Sequence, residues 1–538
     1  GRVRRGSPHD PAPHDPARVR DVVGVGIGPF NLGLAALSAP LDDVDAVFLD
    51  AASEFRWHPG MMIEGATIQV PFLADLVTMA DPTSPYSFLA FLKATGRLYP
   101  FYIRESFYPL RAEYDAYCRW VAARLGSLRW SRRVIAVEHD PAADAFVVRA
   151  ETLAPDGSVT GTEEHRGRHL VLGVGTSPVL PPALRALADE VARGEHPGAG
   201  PLVHSAQYLP HRDALAAAGS VTVVGSGQSA AEVYRDLLDG VHGDARRPGY
   251  RLDWVTRSPR FFPMEYTKLT LEMTSPEYTD HFHALPLELR QLLGREQRGL
   301  YKGISGDLVD EIYDALYRLS LDRPVPTTLL TDTEVVAARY EPAARGRGDT
   351  GAAGEPDAAG PAGEYVLRLR HAQLGREVER RTRALVVATG YAASVPAFLD
   401  PVRHLLRFDE LGRFDVARDY TVDDARRVHV LNGEEHTHGI TAPDLGFAAW
   451  RNAVVLRTVT GREVYPVEER IAFQTFGLPA GAGPAATPPA EGVGRVERAG
   501  AVSGGEDRSA GGVWLGRYGG PRARVVQGLR RRLARIHG

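Results

Sequence analysis

The chain has 538 residues, long enough for two or three domains with a large buried interior rather than one compact core. With 63 Lys and Arg against 67 Asp and Glu, its formal net charge of −4 gives no basis for polyanion binding and argues against nucleic acid as a partner. Its one cysteine, Cys118, excludes an internal disulfide framework and any multi-cysteine zinc or iron–sulfur site, and fits a reducing, cytoplasmic compartment.

Residues 1–20, rich in Arg, Pro and His and without the apolar core of a secretory signal, read as a disordered leader. No uninterrupted apolar run approaches the roughly 18 residues that span a bilayer, so no membrane contact is expected. Order is expected from residue 21, where an apolar run passes through Gly24, Gly26 and Gly28 into the helix-like Pro29-Phe30-Asn31-Leu32. Strand, tight turn and helix N-terminus in that order can cradle a pyrophosphate. Asp50 closes the next apolar run, where a carboxylate can hold a ribose hydroxyl. Between there and about residue 120, Trp57-His58-Pro59-Gly60 and the run 69–76 carry more aromatics and prolines than a βαβ unit needs, so this segment is expected to wrap a ligand. The aromatics of 111–121 have helical spacing and read as core, with Cys118 a small core residue among them.

From about 129 to 176, short apolar runs alternate with turns, a meander that returns to the first sheet and ends at Gly173-Val174-Gly175-Thr176 beside the first ligand. A second fingerprint follows at Gly225-Ser226-Gly227-Gln228-Ser229-Ala230, and two such sites imply two dinucleotides. The strand after it runs into Thr256-Arg257-Ser258 rather than an acidic residue. An arginine there meets a ribose 2′-phosphate, so NADPH is expected over NADH, with Arg257 the clamp and Arg260 a second candidate. Residues 261–320 are mostly helical and lack a fingerprint, as a small substrate or lid region would. Residues 341–364 read as a flexible Gly/Ala/Pro insertion.

The strand-like 384–387 then leads to the small-residue turn Thr389-Gly390-Tyr391. His436 and His438, beside Glu434 and Glu435, have a spacing that suits no zinc signature, and no metal is expected. A last helix is expected over 445–458. Beyond 478 come a Gly/Ala/Pro tail and a short basic segment, 523–533, read as a solvated charge run. The architecture expected is α/β, with two Rossmann-like dinucleotide-binding domains, 21–200 with 381–477 and 201–260 with 321–380. The smaller helical region 261–320 lies between the two parts of the second domain, and 478–538 is the tail.

Taken together, these motifs resemble the microbial N-hydroxylating flavin monooxygenases of the lysine/ornithine N-monooxygenase family, over about residues 21–470. The resemblance implies FAD in the first domain, at Gly24, Gly26, Gly28, Pro29, Asn31 and Asp50, with Trp57, His58 and Gln69 near the flavin and Thr389, Gly390 and Tyr391 returning across it. It implies NADPH in the second domain, at Gly225, Gly227, Gln228, Ser229 and Arg257. It further implies a C4a-hydroperoxyflavin, formed with O2, whose distal oxygen a substrate amine takes, so the cofactor carries the hard step and no protein nucleophile is required. Gln69 and Lys302 are candidates for a catalytic contribution, and a homotetramer or homodimer is expected.

Departures from the family pattern bear on substrate. Amino-acid hydroxylases resemble one another in a Phe-Leu-Lys-Asp-Leu run whose lysine meets the substrate carboxylate; here the run is Phe72-Leu73-Ala74-Asp75-Leu76. An Asn-Glu pair of the ornithine enzymes aligns with Leu271-Glu272. An α-carboxylate without partners in a closed site costs roughly 3 kcal/mol or more. The expected substrate is therefore a diamine, cadaverine or putrescine, as in hydroxamate siderophore assembly, with Glu272, Asp280 and Asp444 as unranked candidates to hold its far ammonium. An L-lysine or L-ornithine hydroxylase, with Lys268 or Lys302 taking over the carboxylate, is the alternative, and a non-catalytic nucleotide-binding protein is a further one.

Overall fold

The structure, a computed structural model, describes residues 15–240, 250–321, 323–343 and 363–479. The readings of a leader before residue 15, of most of the 341–364 insertion and of the tail with its basic segment lie outside the described residues.

The first sheet is built from β1 (Val19–Val25), β2 (Ala46–Leu49), β3 (Leu128–Arg129), β4 (Arg132–Asp140), β5 (Ala145–Leu153) and β6 (Val159–Leu172), in the order β3-β2-β1-β6-β5-β4. β1 begins two residues inside the segment read as leader, because Val19 and Arg20 already pair with Arg166 and Gly167 of β6. β6 serves two purposes along its length. Its first part runs antiparallel to β5, and its last residues run parallel to β1, Val25 opposite Leu172. That is the meander read from the sequence, and it delivers Gly173 to the end of β1, where its amide donates to the Val25 carbonyl.

The chain continues through β7 (Ser177–Pro178), β8 (Leu202–His204), β9 (Ser220–Val224), β10 (Arg251–Val255), β11 (Thr327–Leu330), β12 (Thr333–Pro342), β13 (Gly363–His371), β14 (Arg376–Thr382), β15 (Ala384–Val387), β16 (Tyr391–Ala392) and β17 (Val428–Val430). The second sheet has the order β11-β10-β9-β15-β8 and is parallel throughout. Every residue of β9 and β15 is buried, as expected of strands covered on both faces. The second sheet thus extends past residue 380 to Val387, because the apolar run 384–387 fits between β9 and β8. β12, β13 and β14 form a separate antiparallel meander, and β17 returns to β6 in the first sheet.

The helix Pro29–Ser38 is buried over nearly its whole length, packed beneath the sheet and against Ala448–Thr460. Glycine at position 33 permits this, since a Cβ there would stand 2.8 Å from the Leu76 carbonyl oxygen. Between β10 and β11 lies the helical region, including Pro276–Ala284, Leu287–Glu296 and Gly306–Leu319. Residues 471–476 strap across it. The Ile471 and Ala472 amides donate to Glu277, those of Phe473 and Gln474 donate to Glu272, and the Phe476 ring meets Tyr278 edge-on at 5.0 Å. Among the described residues no helix is long and apolar enough to cross a membrane. Cys118 is buried, and burial pushes its thiol well up from the usual range, in keeping with a packing role.

Candidate active site

The first glycine turn is built for close backbone approach. Gly26 has φ +87°, and a Cβ there would come 2.4 Å from the Gly173 carbonyl oxygen, so this position requires glycine. Gly24 leaves room for the Phe48 ring, 2.2 Å from where a Cβ would stand. Gly28 differs from both: its backbone is extended, and no atom lies within 4 Å of a built Cβ. It caps the helix Pro29–Ser38 without a side-chain hydrogen bond, Pro29 opens that helix, and the first-turn amides remain available to an anion. Asp50, at the end of β2, accepts from the Ile27 amide at 2.6 Å and the Ala52 amide at 2.7 Å, which fixes its carboxylate beside the turn. Asn31 is fully buried and turned inward; its Nδ2 donates to the Gly26 carbonyl at 2.7 Å, so it braces the turn from behind.

The second turn has the same construction. Gly225 has φ +150°, and a Cβ there would meet the Ala388 carbonyl oxygen at 2.2 Å. Its own carbonyl accepts from the buried Trp254 indole at 2.8 Å. Gly227 faces the Lys302 carbonyl, 3.2 Å from a built Cβ, which brings the helical region to the turn. Gln228 and Ser229 open the helix Gln228–Gly240, both half-buried. Arg257 and Arg260 follow β10 and are exposed; among the described residues neither has an ion-pair partner.

The turn 57–60 closes the space between the two sheets. Gly60 lies so close to the Ala206 carbonyl that a Cβ would stand 1.8 Å from it. His58, in a left-handed conformation at φ 47°, places its ring 5.2 Å from Trp57 and 6.0 Å from Tyr391. His58 is exposed at the edge of this space, yet the protein packed around it, with a contribution from the nearby Arg111, pulls its pKa down to about 4. His204 accepts from the Ala206 amide through Nδ1 and donates to the Gly390 carbonyl through Nε2, both at 3.1 Å, and its ring meets Tyr391 edge-on. Thr389 donates to the Val179 carbonyl and the Val179 amide donates to the Gly390 carbonyl, which pins the return turn to the end of β7. Gln69 is half-buried, its Nε2 3.5 Å from the Thr67 carbonyl.

The substrate candidates separate clearly. Glu272 is committed to the strap, accepting also from the Gln474 side chain, and Leu271 is half exposed. Asp280 is exposed and paired with Arg418. Lys302 is half-exposed and paired with Glu435 at 2.6 Å, and Lys268 is exposed. Ala74 and Asp444, by contrast, flank one glycine: a Cβ on Gly446 would stand 2.9 Å from Asp444 Oδ1 and 3.6 Å from the Ala74 Cβ. Burial pushes the Asp444 pKa up, opposed by the Gly446 and Phe447 amides and by Arg451. Ala74's neighbour Asp75 is structural. It accepts from the Val77, Thr78 and Phe88 amides and the Thr78 hydroxyl, and so sets the loop that carries Ala74.

Two buried ion pairs escaped the sequence reading. Arg451 and Glu434 pair with no exposure at all, and the Arg451 guanidinium lies 4.3 Å over the Phe30 ring beneath the first turn. An Arg-Asn step inside the apolar helix 448–460 was the available signal. Arg111 pairs with Glu232 across 121 positions, for which no local pattern exists. His436 donates to the Phe414 carbonyl and His438 stacks on Tyr420, so both histidines are engaged in packing.

A mixed sheet whose β1, β2 and the end of β6 run parallel, and a second, wholly parallel sheet, each with a glycine turn at the carboxyl end of a central strand and with 57–60 and 389–391 between them, define a two-dinucleotide oxidoreductase. The chain belongs to the L-lysine 6-monooxygenase/L-ornithine 5-monooxygenase family, whose model matches residues 18–349. It is 42% identical over 458 residues to a putrescine N-hydroxylase of Shewanella oneidensis, covering 85% of this chain and 84% of that protein. It is 44% identical over 464 residues to an alcaligin biosynthesis enzyme of Bordetella pertussis, covering 86% and 92%. Among solved structures, the FAD-bound cadaverine monooxygenase of desferrioxamine biosynthesis from Erwinia amylovora is similar with a TM-score of 0.77 and 46% identity, over 86% of this chain and 99% of that one.

Proposed function

We propose that this chain is a FAD- and NADPH-dependent N-hydroxylase of a diamine, putrescine or cadaverine, acting in hydroxamate siderophore biosynthesis. The observation that carries the substrate is the pairing of Ala74 with Asp444. A small apolar side chain stands where amino-acid hydroxylases place a lysine, and a half-buried carboxylate, crowded by the surrounding protein, stands beside it. That arrangement accepts an ammonium and rejects a carboxylate. Relatives named for putrescine and cadaverine support the same reading.

The first turn fits FAD: the open space at Gly28 and the uncapped helix N-terminus suit a pyrophosphate, and Asp50 keeps lone pairs for a ribose hydroxyl. Gly225, Gly227, Ser229 and the backbone of Gln228, whose side chain is taken up by Glu232 and Ser305, fit NADPH, with Arg257, which has no ion-pair partner among the described residues, offered to the 2′-phosphate. When bound, the flavin supplies oxygen activation and the nicotinamide supplies hydride. The chain's own residues do the rest. Trp57, His58 and Tyr391 wall the cleft against water, Gln69 faces it from the loop 69–76, and Asp444 orients the diamine by its far ammonium. On this reading the FAD domain is 19–200 with about 389–477, the NADPH domain 201–260 with 321–387, and the helices between form the lid. Lys302 belongs to the NADPH side, and its pairing with Glu435 leaves it no charge to spare for a substrate carboxylate.

Comparing kcat/KM for putrescine, cadaverine, L-lysine and L-ornithine, with the hydroxylamine identified by mass spectrometry, tests the proposal; preference for either amino acid overturns it. Arg257→Ser is expected to reduce the NADPH-to-NADH preference by about tenfold or more, the scale of one charge-assisted phosphate contact. An unchanged ratio would assign the phosphate to another residue. A cytoplasmic homo-oligomer is also proposed, burying the exposed Tyr99, Tyr102, Ile103 and Phe107. A strictly monomeric mass at micromolar concentration, or recovery in the cell envelope, would contradict it.

A further inference from the structure

One continuous chain of hydrogen bonds ties the second glycine turn to both of its neighbours. Arg111 opens the helix Arg111–Ala122 on the flavin side. Its Nη1 donates to the Met61 carbonyl at 2.6 Å and to Glu232 Oε2 at 2.9 Å, and its Nη2 donates to Glu232 Oε1 at 2.7 Å. Glu232 lies one turn into the helix that begins at the second glycine turn. Its Oε1 also accepts from Gln228 Nε2 at 2.9 Å, and Gln228 Oε1 accepts from the Ser305 amide at 2.8 Å. Side-chain exposures of 9% for Arg111 and 7% for Glu232 make this a buried, bidentate pair.

A pair so buried is weak evidence for stability, because desolvation consumes much of what the charges gain from each other. What it does supply is direction. The planar guanidinium fork fits one orientation of the carboxylate, and that carboxylate holds the amide of the residue at the mouth of the turn. Met61 directly follows the 57–60 turn, so the same arginine registers the flavin-side wall against the second turn.

We propose that Arg111, Glu232 and Gln228 are positioning residues that fix the NADPH turn against the flavin-side cleft and the lid, and so govern retention of NADP+. This rests on the cofactor reading above, not on the identity of the amine.

In Arg111→Met/Glu232→Leu both charges leave together, so the desolvation cost leaves with them, while the registration is lost. FAD content and Tm are expected to stay near wild type. The Kd for NADP+, read without amine from the perturbation of flavin absorbance, is expected to rise about tenfold, the scale of a strongly coupled pair. The share of NADPH lost to hydrogen peroxide should rise with it. Gln228→Leu leaves the ion pair in place and cuts only the link to the turn and to Ser305; its Kd is expected to rise by about threefold or more at unchanged Tm. A folded double variant with wild-type Kd and peroxide share would overturn the proposal. If the double variant does not fold, Gln228→Leu decides alone, and an unchanged Kd rejects it. Wild-type protein that takes up no NADP+ refutes the cofactor reading instead, whereas a wrong amine leaves the Kd untouched.

Discussion

Asp444→Asn is expected to lower kcat/KM for putrescine and cadaverine by about 100-fold or more, and at the same time to raise Tm at neutral pH. The first effect follows from burial. An ammonium brought beside Ala74 leaves water, and without a carboxylate opposite it the uncompensated charge costs about 3 kcal/mol or more, over two decades in rate. The second follows from linkage. Burial, the largest influence on Asp444, raises its pKa in the folded state above the ordinary carboxylate value, so the native state binds the proton more tightly than the unfolded chain does. Stability is therefore lost as pH rises from the ordinary carboxylate range through the folded pKa, and the loss persists above it. Asparagine carries no such penalty, and its oxygen can still accept from the Gly446 amide. The Tm advantage of the variant should accordingly appear at neutral pH and shrink as the pH falls into the ordinary carboxylate range. Calorimetry across that range, with steady-state kinetics on both diamines, reads both effects. Unchanged kcat/KM would remove Asp444 from substrate binding, whatever happened to Tm.

What the sequence made legible follows from how local each constraint is. Gly26 and Gly225 stand out because a left-handed or crowded backbone position admits little but glycine, so the requirement is written at the residue itself. β9 and β15 stand out as apolar runs too short for helices and bounded by small residues. The boundary near 381 was harder to place, because an apolar run with small residues after it fits either sheet; only the pairing of Leu385 with Thr222 and Leu202 assigns it to the second. Side-chain duties set by distant chain segments left no local trace. Glu272 is claimed by residues 473 and 474, Asp280 by Arg418, and Arg111 by Glu232. Asn31 shows the same limit over a short span. Its place in the motif predicts a cofactor contact, but its amide is turned to the carbonyl of Gly26. Asp444 was one acid among three until the backbone at Gly446 put it next to Ala74.

Gly26→Ala and Gly28→Ala are both expected to yield protein with little or no bound FAD, for opposite physical reasons. At Gly26 the fault lies in the fold. An L side chain at φ +87° costs about 1–2 kcal/mol before any contact is counted, and the Cβ would also lie 2.4 Å from the Gly173 carbonyl oxygen, which belongs to backbone and cannot rotate away. The turn must move, and Tm should fall even against flavin-free wild type. At Gly28 the fold has no objection. The backbone is extended at φ −83°, ψ −177°, and nothing stands within 4 Å of the added carbon. The methyl group would enter only the space offered to the pyrophosphate, in front of amides that an anion must approach to hydrogen-bond distance. Gly28→Ala should therefore match flavin-free wild type in Tm while losing flavin, and the comparison must use the flavin-free protein because a bound ligand adds its own stabilisation. The FAD-to-protein absorbance ratio and thermal melts of both variants distinguish the two cases. A Gly28→Ala protein that purifies with stoichiometric FAD would show that the cradle does not lie in front of this helix.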